Sequence, residues 1–256
     1  MSRALLQELE TRAADIGLNL VGLADCAEFD LCQPRGRRAR EFLPNCQTIV
    51  VLGSGGSEFW RRLPRQDPRC DGADPVGART VAFTKEVVAW LAAQGVAART
   101  VYPDACRTLN FAQLGESAGL GTMSPVSGFL LHPTFGPWLS VRAAVLVAGY
   151  PFGCNFMPRV PASFQPCLQC AKPCVPACPI QVCDGDGGID LRACATHRHG
   201  GGCTDHCAVR RACPVGTEQR YGVDEEAVRH QRGLRLLRRS FGLGWWRLVP
   251  KRWRRN

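Results

Sequence analysis

The sequence predicts an α/β (α+β) fold over about the first 150 residues, followed by a small cysteine-rich module. Three observations predict it. Apolar runs of strand length alternate with segments of helical period through the first part of the chain. Four prolines then fall between Pro151 and Pro166, and the pattern becomes irregular. Beyond them, nine cysteines stand within the 47 residues from Cys167 to Cys213, eight of them in two sets.

The elements follow in chain order. Residues 4–16 predict a helix, because Leu5, Leu6, Leu9, Ala13 and Ile16 recur at helical spacing. Asn19 to Ala24 reads as a short strand. Thr48-Ile-Val-Val-Leu reads as a buried strand that ends in Gly53-Ser-Gly-Gly. That glycine run suits either a strand-ending turn or a phosphate cradle, although it lacks the third glycine of the dinucleotide fingerprint. Residues 80–94 predict a helix carrying Val81, Val87, Val88 and Leu91, stopped by Gly95. A strand is expected over Val96–Val101, a helix over 109–118 ending at Gly119, and a strand over Ser140–Val147. The cysteine segment predicts short helical turns at most, and 224–239 a helix. The expected divisions are an α/β domain over 1–150, a cysteine-rich module over 151–228 and a basic tail over 229–256.

The composition, 45% hydrophobic and 21% charged, is that of a globular chain and excludes a disordered one. No apolar run of about 18 residues predicts a membrane-spanning helix. The N-terminus lacks a basic region followed by an apolar one, so no secretory signal is expected and the cytoplasm is the expected address. The net charge of +10 is unevenly placed: residues 229–256 hold nine arginines, one lysine and no acid, so residues 1–228 sum to zero. Arginines interleaved with Leu234, Leu236 and Leu237, and then Trp245, Trp246 and Trp253, suit contact with RNA or with an anionic membrane surface.

Fifteen cysteines in a chain with no export signal point to metal rather than to disulfides. The first set is Cys167-Leu-Gln-Cys170-Ala-Lys-Pro-Cys174-Val-Pro-Ala-Cys178-Pro179. The second is Cys194, Cys203-Thr-Asp-His-Cys207 and Cys213-Pro214. Each set ends in Cys-Pro, as in bacterial ferredoxins, where the fourth cysteine of a set ligates the other cluster. Zinc sites show paired C-x2-C knuckles, and only one such pair is present. The pattern therefore assigns one 4Fe-4S cluster to Cys167, Cys170, Cys174 and Cys213, and another to Cys178, Cys194, Cys203 and Cys207. The other seven cysteines, Cys183 among them, read as small buried apolar residues. His197, His199 and His206 lie among the ligands and read as solvated loop residues. Asp104 and Tyr102 follow a strand end, where α/β sites gather, and either is placed to donate a proton to a reduced substrate.

The chain resembles the epoxyqueuosine reductase and reductive dehalogenase family over about residues 5–216. Four segments carry the resemblance: Ile16-Gly-Leu-Asn-Leu-Val-Gly-Leu-Ala, Leu43-Pro-Asn-Cys-Gln-Thr-Ile-Val-Val-Leu-Gly, Ala118-Gly-Leu-Gly through Phe135-Gly-Pro137, and the eight-cysteine order with Cys194 standing alone. The resemblance implies a nitroreductase-like domain followed by a ferredoxin-like double-cluster module. It also implies electrons supplied by a donor such as ferredoxin or flavodoxin, and reduction of an organic substrate, small or tRNA-borne, by a bound cobalamin. On it, Asp104 corresponds to the catalytic acid, and Gly119, Gly121 and Ser127 lie against the corrinoid. No histidine ligates cobalt on this reading, since no Asp-x-His-x-x-Gly segment is present. Thr122 and Ser127-Gly128-Phe129 depart from the Trp and Gly-Lys-Asn of epoxyqueuosine reductases. A corrinoid-free electron-transfer or maturation protein is the alternative on the same fold.

Overall fold

Thr48-Ile-Val-Val-Leu is a run in which both faces are apolar, and such a run forms a strand only where both faces are covered. It lies at the centre of β2 (Cys46–Gly55). Together with β1 (Leu20–Asp25), β3 (Ala98–Thr100) and β4 (Leu139–Ala148) it makes a four-stranded sheet in the order β1-β2-β4-β3, antiparallel at each pairing. The structure is a computed structural model that describes residues 2–63, 75–101, 110–154, 156, 160–185 and 188–250. It falls into two compact units, residues 1–122 with 139–161, and residues 123–138 with 162–256. The segment 123–138, which the sequence placed with the α/β part, thus clusters with the cysteine-rich part.

In the first unit Val21, Val50, Leu52, Ala143, Val145 and Val147 alternate along three strands onto one sheet face. That face packs on α1 (Ser2–Asp15), through Leu9 and Ala13, and on α4 (Pro75–Ala93), through Phe83, Val87 and Leu91. Each such side chain taken fully from water contributes roughly 1.5–3 kcal/mol, which is an upper estimate. The short α2 (Cys26–Leu31) is capped by Asp25, whose carboxylate accepts from the Ala27 and Glu28 amides, and α3 (Glu58–Arg61) places Phe59 in the same core. The helix expected over 80–94 begins five residues earlier, at Pro75, because proline suits the first helical turn.

The glycines of the Ile16–Ala24 segment are explained by contact. A Cβ on Gly22 would lie 2.3 Å from the Ala118 carbonyl, just beyond α5 (Phe111–Ser117). Asn19 lengthens the sheet with its side chain, donating to the Gly55 carbonyl at 3.0 Å and accepting from the Gly55 amide at 2.8 Å. Ser54 accepts from Arg142 at 3.1 Å. The Gly53–Gly56 run is therefore a strand end whose polar groups are engaged, not a phosphate cradle. Cys26 and Cys46 are buried in this unit as hydrogen-bonded neighbours, as expected of small buried thiols, whereas Cys32 and Cys154, read the same way, are exposed.

The second unit is built around α6 (Cys174–Ala177), α7 (Leu191–His199), α8 (Ala208–Arg211) and α9 (Val223–Phe241). The nine-residue α7, started by Asp190 accepting from the Ala193 amide at 2.8 Å, is longer than the turns the sequence predicted. It packs on α9, which ends at Gly242 with φ +66°. Buried Glu225 and Glu226 are paired with Arg229 and Arg211, at 2.7 Å and 2.9 Å. The segment 123–138 joins this unit by a close backbone approach: a Cβ on Gly136 would lie 1.9 Å from the Val215 carbonyl, two residues past Cys213. Trp138, fully buried, meets Tyr221 edge-on at 5.3 Å.

Candidate metal centre

The eight cysteines are placed by tight local structure in the second unit. Cys167 lies in a turn over Pro166–Leu168, and Ser124 Oγ is 3.3 Å from its sulfur. Lys172, at φ +54°, reverses the chain and turns its amide toward Cys170 Sγ at 3.4 Å. Cys174 opens α6 and Cys178 closes it in an extended conformation, so Pro179 leads the chain away. Cys194 is on α7, Cys203 sits at φ +47°, and Cys207 is the residue before α8. Cys213 follows α8 and hydrogen-bonds with the Val215 backbone.

These placements sort the thiols into two groups. Cys174 has Cys167 and Cys170 as electrostatic neighbours, and Cys213 has Cys167, Cys174 and Cys170. Cys194 has Cys207, Cys178 and Cys203, and Cys203 has Cys207 and Cys178. The structure thus brings Cys178 to the set after it in sequence and Cys213 to the set before it. Burial first, and then the neighbouring thiols, push Cys174, Cys194, Cys203 and Cys213 above the ordinary thiol pKa. Half-buried thiols gathered beside one another are a donor set that a cation between them would satisfy, and soft sulfur donors fit iron–sulfur clusters. The donor chemistry therefore fits two clusters. Among the described residues no three His, Cys, Asp or Glu side chains converge on a single ion. The described cysteines are all free thiols.

A cavity of about 260 Å³ lies inside this unit, and Cys178, Cys194, Cys203 and Cys207 all line it. Two further residues there were missed by sequence reasoning. Cys183, read as a small apolar residue, is buried against the second group and is pushed up to about 11 by burial and by Cys178, Cys174, Cys207 and Cys194. Arg198, one turn of α7 beyond Cys194, is buried beside Cys194, Cys207 and Cys203. The spacing of four from Cys194 was the signal available for Arg198. His230 of α9 faces the same cavity, and burial pushes its imidazole down to about 4. Of the three histidines singled out in sequence, His197 lines the cavity, while His199 and His206 are exposed.

The remaining candidates separate. Asp104 and Tyr102 lie outside the described residues. Gly119 and Gly121 are buried in the first unit, where Gly119 at φ +68° reverses the chain after α5 and its carbonyl accepts from Val160. Ser127 belongs to the second unit, in a turn closed by Ser124 Oγ, and it lines the thiol cavity. After α9 the chain makes a short turn in which Trp245 and Trp246 stack at 4.0 Å and Arg239 lies 4.9 Å over Trp246. Leu236, Trp245 and Leu248 are exposed there. Among the described residues no helix is long and apolar enough to cross a membrane.

No protein-family model and no curated protein matches the chain. Solved structures do. Epoxyqueuosine reductase from Bacillus subtilis matches with a TM-score of 0.59 at 15% identity, over 86% of this chain and 67% of that one. The enzyme from Streptococcus thermophilus matches with a TM-score of 0.63 at 14% identity, over 95% and 77%. A catabolic reductive dehalogenase matches with a TM-score of 0.59 at 14% identity, over 95% of this chain but 36% of its own. One similar epoxyqueuosine reductase structure holds a modified tRNA stem loop, and one dehalogenase structure is described in terms of B12-dependent dehalogenation. The chain therefore has the mixed α/β fold of epoxyqueuosine reductases and reductive dehalogenases.

Proposed function

We propose that this protein is an iron–sulfur oxidoreductase resembling epoxyqueuosine reductase. In this reading Cys167, Cys170, Cys174 and Cys213 hold one 4Fe-4S cluster and Cys178, Cys194, Cys203 and Cys207 the other. The observation that carries the proposal is one cavity lined by Cys178, Cys194, Cys203 and Cys207, with Cys213 set beside Cys167, Cys170 and Cys174. Such clusters supply one-electron transfer at potentials set by charge, hydrogen bonds and burial. The chain's own residues bind and shield them: Ser124 and the Lys172 amide approach sulfurs of the first group, while Val209 and Ile189 pack around the second. A ferredoxin or flavodoxin is the proposed class of donor, and the final reduction is of an organic substrate, small or tRNA-borne.

Cobalamin is the proposed acceptor, on the strength of the fold. Adding cob(II)alamin to the anaerobic, cluster-loaded protein is expected to change the paramagnetic spectrum of cobalt, without the nitrogen splitting a histidine ligand would give. An unchanged spectrum would make the chain a corrinoid-free electron-transfer or maturation protein instead.

The C-terminal residues 229–256, with a charge of +10, are proposed to meet an anionic partner. Exposed Leu236, Trp245 and Leu248 favour a lipid surface over RNA, which offers aliphatic side chains little. The full chain is expected to sediment with phosphatidylglycerol vesicles and not with phosphatidylcholine ones, with a blue shift of its tryptophan emission. Salt-sensitive binding to RNA alone would refute the lipid assignment.

A further inference from the structure

We propose that Arg198 is the buried counter-charge of the second cluster and holds that cluster's reduction potential above that of the first. The inference rests on the two-cluster reading above.

Arg198 is 9% exposed and lines the cavity shared by Cys178, Cys194, Cys203 and Cys207. A guanidinium stays charged in a protein, so burying one demands hydrogen-bond acceptors and an anion. The acceptor in place is neutral: Nη2 donates to the His230 carbonyl on α9. Nε is buried with no partner. The acids nearby are each committed through one oxygen: Glu226, which also lines the cavity, takes both Nε and Nη2 of Arg211 on Oε2, and Glu225 takes Arg229 on Oε1. Arg210, the third arginine on the cavity wall, lies over the Phe129 ring and donates to the Pro137 carbonyl. The charged-state partners that act on Arg198 are the thiols beside it, Cys194, Cys207 and Cys203.

The first group is different. The influences on Cys174 and Cys213 are burial, backbone and other thiols, whereas for Cys194 the Arg198 charge ranks directly after burial. Lys172, next to the first group, turns its ammonium to the Gly185 carbonyl at 2.9 Å. A cluster with four thiolates is already anionic, and reduction adds one more negative charge. A fixed buried cation stabilises the reduced form more than the oxidised form. With both clusters held, the buried charge would favour an electron on the second over the first, with no proton moved and no bond broken.

The test uses the full chain, loaded anaerobically with iron and sulfide, in a dithionite potentiometric titration followed by electron paramagnetic resonance. Cys170→Ser and Cys203→Ser assign the two signals. In Arg198→Gln the second cluster's reduction equilibrium should shift at least tenfold toward the oxidised form, which is about 59 mV for one electron. The first cluster should not move, and Arg198→Lys, which keeps the charge, should restore most of the difference. Loss of the second cluster in the glutamine variant but not in the lysine variant would equally support the role. Unchanged potentials in the glutamine variant, equal shifts of both clusters, or a lysine variant as damaged as the glutamine one would overturn it. Wild-type protein that takes up zinc without sulfide overturns the two-cluster reading itself, and metal analysis shows this before any titration.

Discussion

Cys178→Ser is expected to lower the iron content of the reconstituted protein from about eight to about four per chain, by emptying the cluster that lies after it in sequence. The residue closes α6 within four positions of Cys174, so sequence proximity alone would assign it to the first group. Its electrostatic neighbours are instead Cys194 and Cys203. Spectra of the variant should keep the signal that Cys170→Ser destroys and lose the one that Cys203→Ser destroys. Cys183 stands beside the second group and can act as a substitute thiol, so the double variant Cys178→Ser with Cys183→Ser should show the full loss. Loss of the signal belonging to Cys167, Cys170 and Cys174 would contradict the crossed assignment.

The second large effect is structural. Gly136→Ala should destabilise the second unit by about 2–5 kcal/mol, from left-handed strain and overpacking together. Gly136 has φ +51°, and an added Cβ would lie 1.9 Å from the Val215 carbonyl, a backbone atom that has no rotamer to yield with. Gly201→Ala is the matched control in the same unit, since Gly201 has φ +96° and nothing within 4 Å of a Cβ. Thermal unfolding followed by circular dichroism should show a fall of roughly 2–4 °C per kcal/mol, with the Gly136 variant well below the Gly201 variant. Equal melting temperatures for the two variants would contradict the close-contact explanation.

Those two residues also mark what the sequence discloses. The strands at Leu20–Asp25, Cys46–Gly55 and Leu139–Ala148 were legible because short, mainly apolar runs bounded by turn residues have one common use, a sheet with covered faces. The antiparallel order was not legible, since alternation of strands and helices carries no register and the β2–β4 pairing spans most of the unit. The expected crossing of the cysteine sets came from their Cys-Pro endings, which turn the chain away from the set just passed. The place of 123–138 was not: it follows from Gly136 and Gly216 meeting back to back, a contact between positions eighty residues apart. Arg198 escaped for a related reason. An arginine on a helix reads as a solvated face, and only the packing of α7 on α9 buries it. Gly119, Gly121 and Ser127 form one surface on the resemblance alone; the glycines belong to the first unit and the serine to the second.

Metal and sulfide analysis of the full chain, purified and reconstituted without oxygen, decides between iron–sulfur clusters and zinc. Two cubane clusters require about eight iron and about eight acid-labile sulfide per chain, with a brown colour that bleaches on reduction. Stoichiometric zinc with no sulfide, in a colourless protein with no reducible centre, would contradict it.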